Sequence, residues 1–303
     1  MLNGNQLSRY GAVSKVLPLM APNAKVFFVG ATTLPSYQDF SDDFQPDVQG
    51  GTRVFSSLVT ALADSNVVAA RGDVLLLLPG HTETITGAAG VSISKSGLSI
   101  IGLGVGAARP TFTFTTAVAA SFDISGANTL IRNIRFVCGI DNQTAMNNVT
   151  SSDVIFDSCE WIISNGTVGA AIGILTAATA DRLQVINSRF TGPATNAGTT
   201  CAACIQHEAG VDYVIQNNYF TGKMTQAILN VATVLRGLIA GNFFVIATGT
   251  KAIAMAAAST PFISNNRINV PSGTAPIVAA AGFVAGNVYS AAAGVTAGTA
   301  STI

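Results

Sequence analysis

The strongest constraint on this chain is a phrase that it writes more than once. "DRLQVINSRFTG" at 181–192 and "VDYVIQNNYFTG" at 211–222 are near copies, and aligning apolar runs on the bulky residue near their ends extends the series to seven. The anchors are Phe136, Trp161, Phe190, Phe220, Phe244, Ile268 and Tyr289, at successive separations of 25, 29, 30, 24, 24 and 21 residues. That spacing is too regular for chance and loose enough for loop insertions. A unit this short cannot close a core by itself, whereas copies stacked on one axis bury a continuous interior.

Each copy alternates apolar and polar side chains, as strands of period two do; helical spacing fits poorly. Three positions before the anchor stand Asn133, Ser158, Asn187, Asn217, Gly241, Asn265 and Gly286. These types tolerate left-handed backbone and stack into hydrogen-bonded ladders, so they mark a corner. Asn128, Asp153, Asp181 and Asp212 mark a second corner, where a short acceptor bonds backbone amides just beyond it. Strand, corner, strand, repeated in parallel, predicts a β-solenoid. Eight or nine coils at about 4.8 Å each give a prism roughly 40 Å long.

Composition narrows the function. Formal net charge is zero, 10% of residues are charged and 49% apolar, which gives no basic footprint for nucleic acid and no charged membrane-surface helix. The most apolar short run, "DVLLLLPG" at 73–80, stops at Pro79, far short of the twenty or so residues a membrane span needs, and reads as a buried strand. The N-terminal stretch is cut by Pro18 and Pro22 and shows no signal peptide. Four cysteines in 303 residues do not make a disulfide framework.

The domain reading is an N-terminal arm or attachment segment over 1–50, a parallel β-helix over 51–290 and a small-residue tail over 291–303. The arm carries Pro35, Pro46 and the acidic, aromatic run "YQDFSDDFQPD", and stays outside the repeat. Over 53–70, Val54, Leu58, Leu62 and Val59 fall at helical spacing, which predicts a short helix capping the open end of the solenoid.

The combination of "GDVLLLLPGHTETI", "GLSIIGLGVGAARPTF" and repeated "IxNxxF"-like coils resembles the pectate-lyase-like right-handed β-helix superfamily, over about residues 70–290. In particular it is similar to a group of phage virion proteins that lie near capsid genes. The resemblance implies an all-β, single-stranded right-handed parallel β-helix. It also implies a trimer-forming structural protein of a tailed phage, assembled in the host cytoplasm and located in the virion.

Polysaccharide-cleaving enzymes of this fold need paired carboxylates, or acids for calcium with a basic residue. Asp157 and Glu160 lie three apart on an expected strand, hence on opposite faces; Asp153, Asp181 and Asp212 suit turn chemistry better. "ARPTF" at 108–112 faintly matches the arginine-proline signature of pectate lyases without the family's other elements, so Arg109 is expected to bond carbonyls in a turn. "CAACIQH" offers Cys201, Cys204 and His207 at near-zinc spacing with no second ligand pair, and strand alternation points the two thiols to opposite faces. Cys138 and Cys159 differ in offset from their anchors, so no stacked disulfide is expected. Gly102, Gly104 and Gly106 precede a strand instead of a helix, which fails the dinucleotide motif and fits a bend between coil faces. His81 reads as an exposed corner, and the sequons at Asn148 and Asn165 carry no weight without secretion.

No catalytic, cofactor-binding or metal-ligating residue is therefore assigned. The expectation is a non-enzymatic homotrimeric capsid decoration or cement protein, contacting the major capsid protein or another virion protein through its N-terminal arm, without nucleic acid or membrane as partners. The alternative is a tail fibre or spike that binds or cleaves host-surface polysaccharide.

Overall fold

In a computed structural model of the chain, residues 23–44, 51–164, 167–192, 201–248, 251–256, 258–270, 276–279 and 282–291 are described. They form a parallel β-solenoid of about nine turns, consistent with a right-handed β-helix. Three faces run along it. Face A holds nine stacked strands from Val74–Leu77 to Phe283–Ala285, and face B runs from Thr82–Ile85 to Val288–Ala291. Face C runs from Val91–Ile93 to Ile277–Val278. Neighbouring strands pair in parallel with like residues in register, as in Phe136↔Trp161, Trp161↔Phe190 and Phe190↔Phe220.

The anchors behave as the repeat predicts. Phe112, Phe136, Trp161, Phe190, Phe220 and Phe244 form one buried column. Its rings tighten from 6.2 Å between Phe112 and Phe136 to 4.4 Å between Trp161 and Phe190 and 4.8 Å between Phe220 and Phe244. Stacked aromatics of this kind add to the area they bury, and they fix each coil's register on the next.

All seven corner residues three before the anchor have positive φ, from Asn133 at 56° to Gly286 at 64°. The hydrogen-bonded ladder, however, stands one position further on, at Asn218, Asn242, Asn266 and Asn287. Each side-chain oxygen accepts the backbone N–H of the preceding coil's ladder residue: Asn242 from Asn218 and Asn266 from Asn242, both at 2.9 Å. Each Nδ2 donates to a face A carbonyl of the preceding coil, Val185, Ile215, Ile239 or Ile263. The left-handed residue turns the chain, and its successor therefore points inward, where unmet backbone groups are costly. At the second corner the left-handed residues are Asn128, Asp153, Arg182, Asp212 and Arg236. The corner is thus at Arg182 in place of Asp181, whose carboxylate instead accepts the Val211 N–H at 3.0 Å.

The N-terminal end departs from the expectation that the first fifty residues stay outside the repeat. Val26–Val29 is a face A strand inserted between Val54–Phe55 and Val74–Leu77, with Phe27 and Val29 fully buried. Helix α1, Pro35–Phe44, then packs on the outer side of face A through Phe40, whose ring lies 4.5 Å from that of Phe28. The run of apolar residues Val26–Val29 is too short to show a period, which is why it escaped the repeat. Residues 1–22 and 45–50 of the arm and 292–303 of the tail lie outside the described residues.

The capping helix α2 is shorter than its pattern. Val54 is in a strand, and the helix spans Leu58–Ala63 with Ser57 as N-cap. Leu58 and Leu62 are buried and Val59 is exposed. Glu83 Oε1 accepts the Leu58 N–H, tying the cap to the first full coil.

Candidate functional site

The sequence candidates resolve into structural roles. Asp157 and Glu160 do not oppose each other across a strand, because Ser158 between them turns the chain at φ 57°. Both carboxylates consequently lie on the outside, Asp157 at the end of a face A strand and Glu160 at the start of a face B strand. Asp157 pairs with Arg132 at 3.2 Å. Glu160 Oε2 accepts from Arg135 Nε at 2.7 Å and lies 3.4 Å from Arg109 Nη1. Arg109 therefore reaches a carboxylate two coils away, and the turn carbonyls of the glycine-rich loop are taken by Asn133, which donates to Gly102 and Gly104, and by Arg135, which donates to Gly106. Gly104 and Gly106 do form the bend between faces A and B, at φ 103° and 57°. Asn148 donates to Asp123 Oδ1 at 2.8 Å, and Asn165 lies outside the described residues.

At the second corner, Asp153–Arg182 and Asp212–Arg236 are two-bond ion pairs of 2.6–2.9 Å between adjacent coils. The facing guanidinium holds each carboxyl below its usual range. Hydrogen bonds to a charged partner favour the charged form of the acid. These acids are fixed as anions in a ladder, unlike a proton donor poised near neutrality.

The cysteines are all free and buried. Cys201 and Cys204 point to the same interior, against the alternation argument, because Cys201–His207 bends within itself: Ala203, Cys204 and Ile205 are consecutively buried. The Cys204 thiol meets Met224 Sδ at 3.5 Å. Burial pushes Cys138 up to about 11 and Cys159 up to about 12, and raises Cys204 as well. All three are neutral thiols, poor nucleophiles and poor ligands. Among the described residues no group of three or more His, Cys, Asp or Glu could hold a metal ion. No described helix is long and apolar enough to cross a membrane.

Both histidines are interior. His81 is fully buried instead of sitting at an exposed corner, with Nε2 3.1 Å from Glu83 Oε1. His207 is fully buried, with Nδ1 2.6 Å from Thr176 Oγ1 and its ring 5.0 Å from that of Tyr213. Burial lowers the His207 pKa to about 4, so it is neutral at pH 7. No sequence signal marked this polar island; only the stacking of Thr176, His207 and Asn230 in one interior column creates it.

What remains for function is the outer surface. On face B the outward residue before each anchor runs Arg135, Glu160, Arg189, Tyr219, Phe243, Arg267, Val288 in register. Arg189 lies over the Tyr219 ring at 5.3 Å, and Tyr219 stacks on Phe243 at 5.3 Å and 7°. On face A the outward column is Leu130, Ile155, Gln184, Val214, Leu238, Phe262 and Phe283, the last two stacked at 4.6 Å. Among the described residues, exposed valines occur near both ends, with Val105 at 80% the most open, but the exposed aromatic side chains are both in the last three coils, Phe243 at 38% and Phe262 at 45%, where Val288 is also exposed. No family model, curated protein or solved structure matches the chain.

Proposed function

We propose that the chain is a non-enzymatic virion structural protein, a homotrimeric capsid decoration or cement protein that spreads over a shell and holds it through contact area. The observation that carries this reading is how the acids at the coil corners are spent. Asp153, Asp157, Glu160 and Asp212 each face an arginine, which ties coil to coil, and face A keeps a mostly apolar outward column from Leu130 to Phe283. Such faces lose little side-chain entropy on association, and stabilising a shell requires area and no proton transfer. The phage setting rests on the resemblance of the coil sequences, and attachment to the shell through the N-terminal segment belongs to the same reading.

A sugar-binding or sugar-cleaving tail protein fits less well. Half-buried Tyr219 and exposed Phe243 are the outward aromatic pair on face B, but each ring stacks on the other, and Arg189 covers the far side of Tyr219. A sugar stacks on an open ring face. Electron microscopy of intact particles tests the proposal: density for a solenoid on the shell supports it, and density on the tail or nowhere overturns it. Release of reducing sugars with sustained turnover on host polysaccharide would overturn the non-enzymatic part.

A further inference from the structure

The solenoid is electrically lopsided along its axis. After Asp212 the sequence contains no acidic residue, while Lys223, Arg236, Lys251 and Arg267 give that stretch a formal charge of +4. Arg236 is spent on Asp212. Lys251 and Arg267 stand in the same coils that expose Phe243, Phe262 and Val288. At the opposite end, α1 presents Asp39 and Asp42 to solvent and has no basic residue. It lies on the outer side of face A, fixed there by the buried Phe40.

From this polarity we infer that copies of the chain associate head to tail, the acidic face of α1 in one copy seated against the apolar, cationic last coils of the next. The inference rests on the homotrimeric reading above and specifies how the three copies meet. A parallel bundle in register would keep the acidic helices at one end and the cationic coils at the other, so the two complementary patches would never meet. A head-to-tail contact joins two different patches, and such a contact closes into a ring when the rotation between copies is right. Three prisms of roughly 40 Å meeting end to side form a flat triangle, with the charged contacts at its corners and the faces free to lie on a shell. The apolar side chains supply area at the corner, and the opposite charges set polarity and speed of encounter.

The test is the mass of the full chain in solution by light scattering, at low and high salt, for four proteins: the natural sequence, Asp39→Lys with Asp42→Lys, Lys251→Glu with Arg267→Glu, and the two pairs combined. The expected results are a natural trimer that dissociates at higher salt, at least a tenfold weaker association for either pair alone, and recovery when both are combined. All four substitutions are at solvent-facing or half-buried positions, and thermal melts check that each protein is folded. A salt-sensitive trimer weakened by each pair and rescued by the combination supports the inference. A trimer indifferent to both pairs overturns the head-to-tail contact and leaves the trimer standing. A natural protein that stays monomeric at all concentrations overturns both.

Discussion

Single residues in this molecule are judged by what the next coil does to them. Gly237 looks in the sequence like any glycine between strands, yet a Cβ there would lie 1.9 Å from Tyr213 Cε1, so the Tyr213 ring occupies the place a side chain would take. Gly237→Ala should lower stability by about 1–3 kcal/mol, the usual cost of overpacking, and the loss should shrink in a Tyr213→Leu background, read by thermal or urea unfolding. His207 gives a pH test. Its pKa in the fold, about 4, lies below the ordinary value of 6.5 because burial disfavours the charged ring. The unfolded chain therefore binds a proton more readily, so the stabilisation is complete above pH 6.5 and is lost as pH falls towards 4. The shift corresponds to roughly 3 kcal/mol. Unfolding between pH 7 and 4 should show that slope in the natural protein, and His207→Gln should flatten it; an unchanged slope would refute the assignment.

At the scale of elements, corners and cap obey different energetics. The asparagine ladder is interior at Asn218, Asn242 and Asn266 and half-buried at Asn287, and Asn242→Ala would strip an acceptor from the Asn218 N–H and a donor from the Ile215 carbonyl. Leaving buried groups unmet costs about 1–3 kcal/mol each. Asn218→Ala combined with Asn242→Ala should cost less than the sum of the two, since the side chains bond each other at 3.1 Å. The outer ion-pair ladder should behave in the opposite way. Arg236→Ala removes a fully exposed pair, and its small effect on the melting midpoint should vanish at about 1 M salt, where exposed charges are screened. The cap depends on one carboxylate: Glu83 serves both the Leu58 N–H and His81, so Glu83→Ala should loosen the N-terminal end before the middle.

Over the whole molecule, contacts are nearest-neighbour, so stability varies along the axis. Phe190 is clamped between Trp161 and Phe220, whereas Tyr289 packs at the edge of the core on the last described coil. Phe190→Ala should cost about 3–5 kcal/mol, Tyr289→Ala much less. Amide exchange should be slowest in the coils around Phe156, Phe190 and Phe220 and fastest near Ile277 and Val288. Uniform protection from end to end would contradict this one-dimensional picture.

The solenoid itself was legible because stacking copies of one coil writes its own period: Phe136, Phe190 and Phe220 repeat since each packs on the next, and the turn-forming Asn133, Asn187 and Asn217 repeat since each coil turns at the same place. Sequence alone therefore determined the axis, the interior column and the seven positive-φ corners. It did not determine which of two adjacent asparagines faces inward, since both polar residues suit a turn and only the sense of the corner separates Asn217 from Asn218. Nor did it reveal the inserted strand Val26–Val29, the common interior of Cys201 and Cys204, or the burial of His81 and His207. Those depend on contacts between residues far apart in the chain, where a side chain's surroundings come from neighbouring coils and leave no local pattern to read.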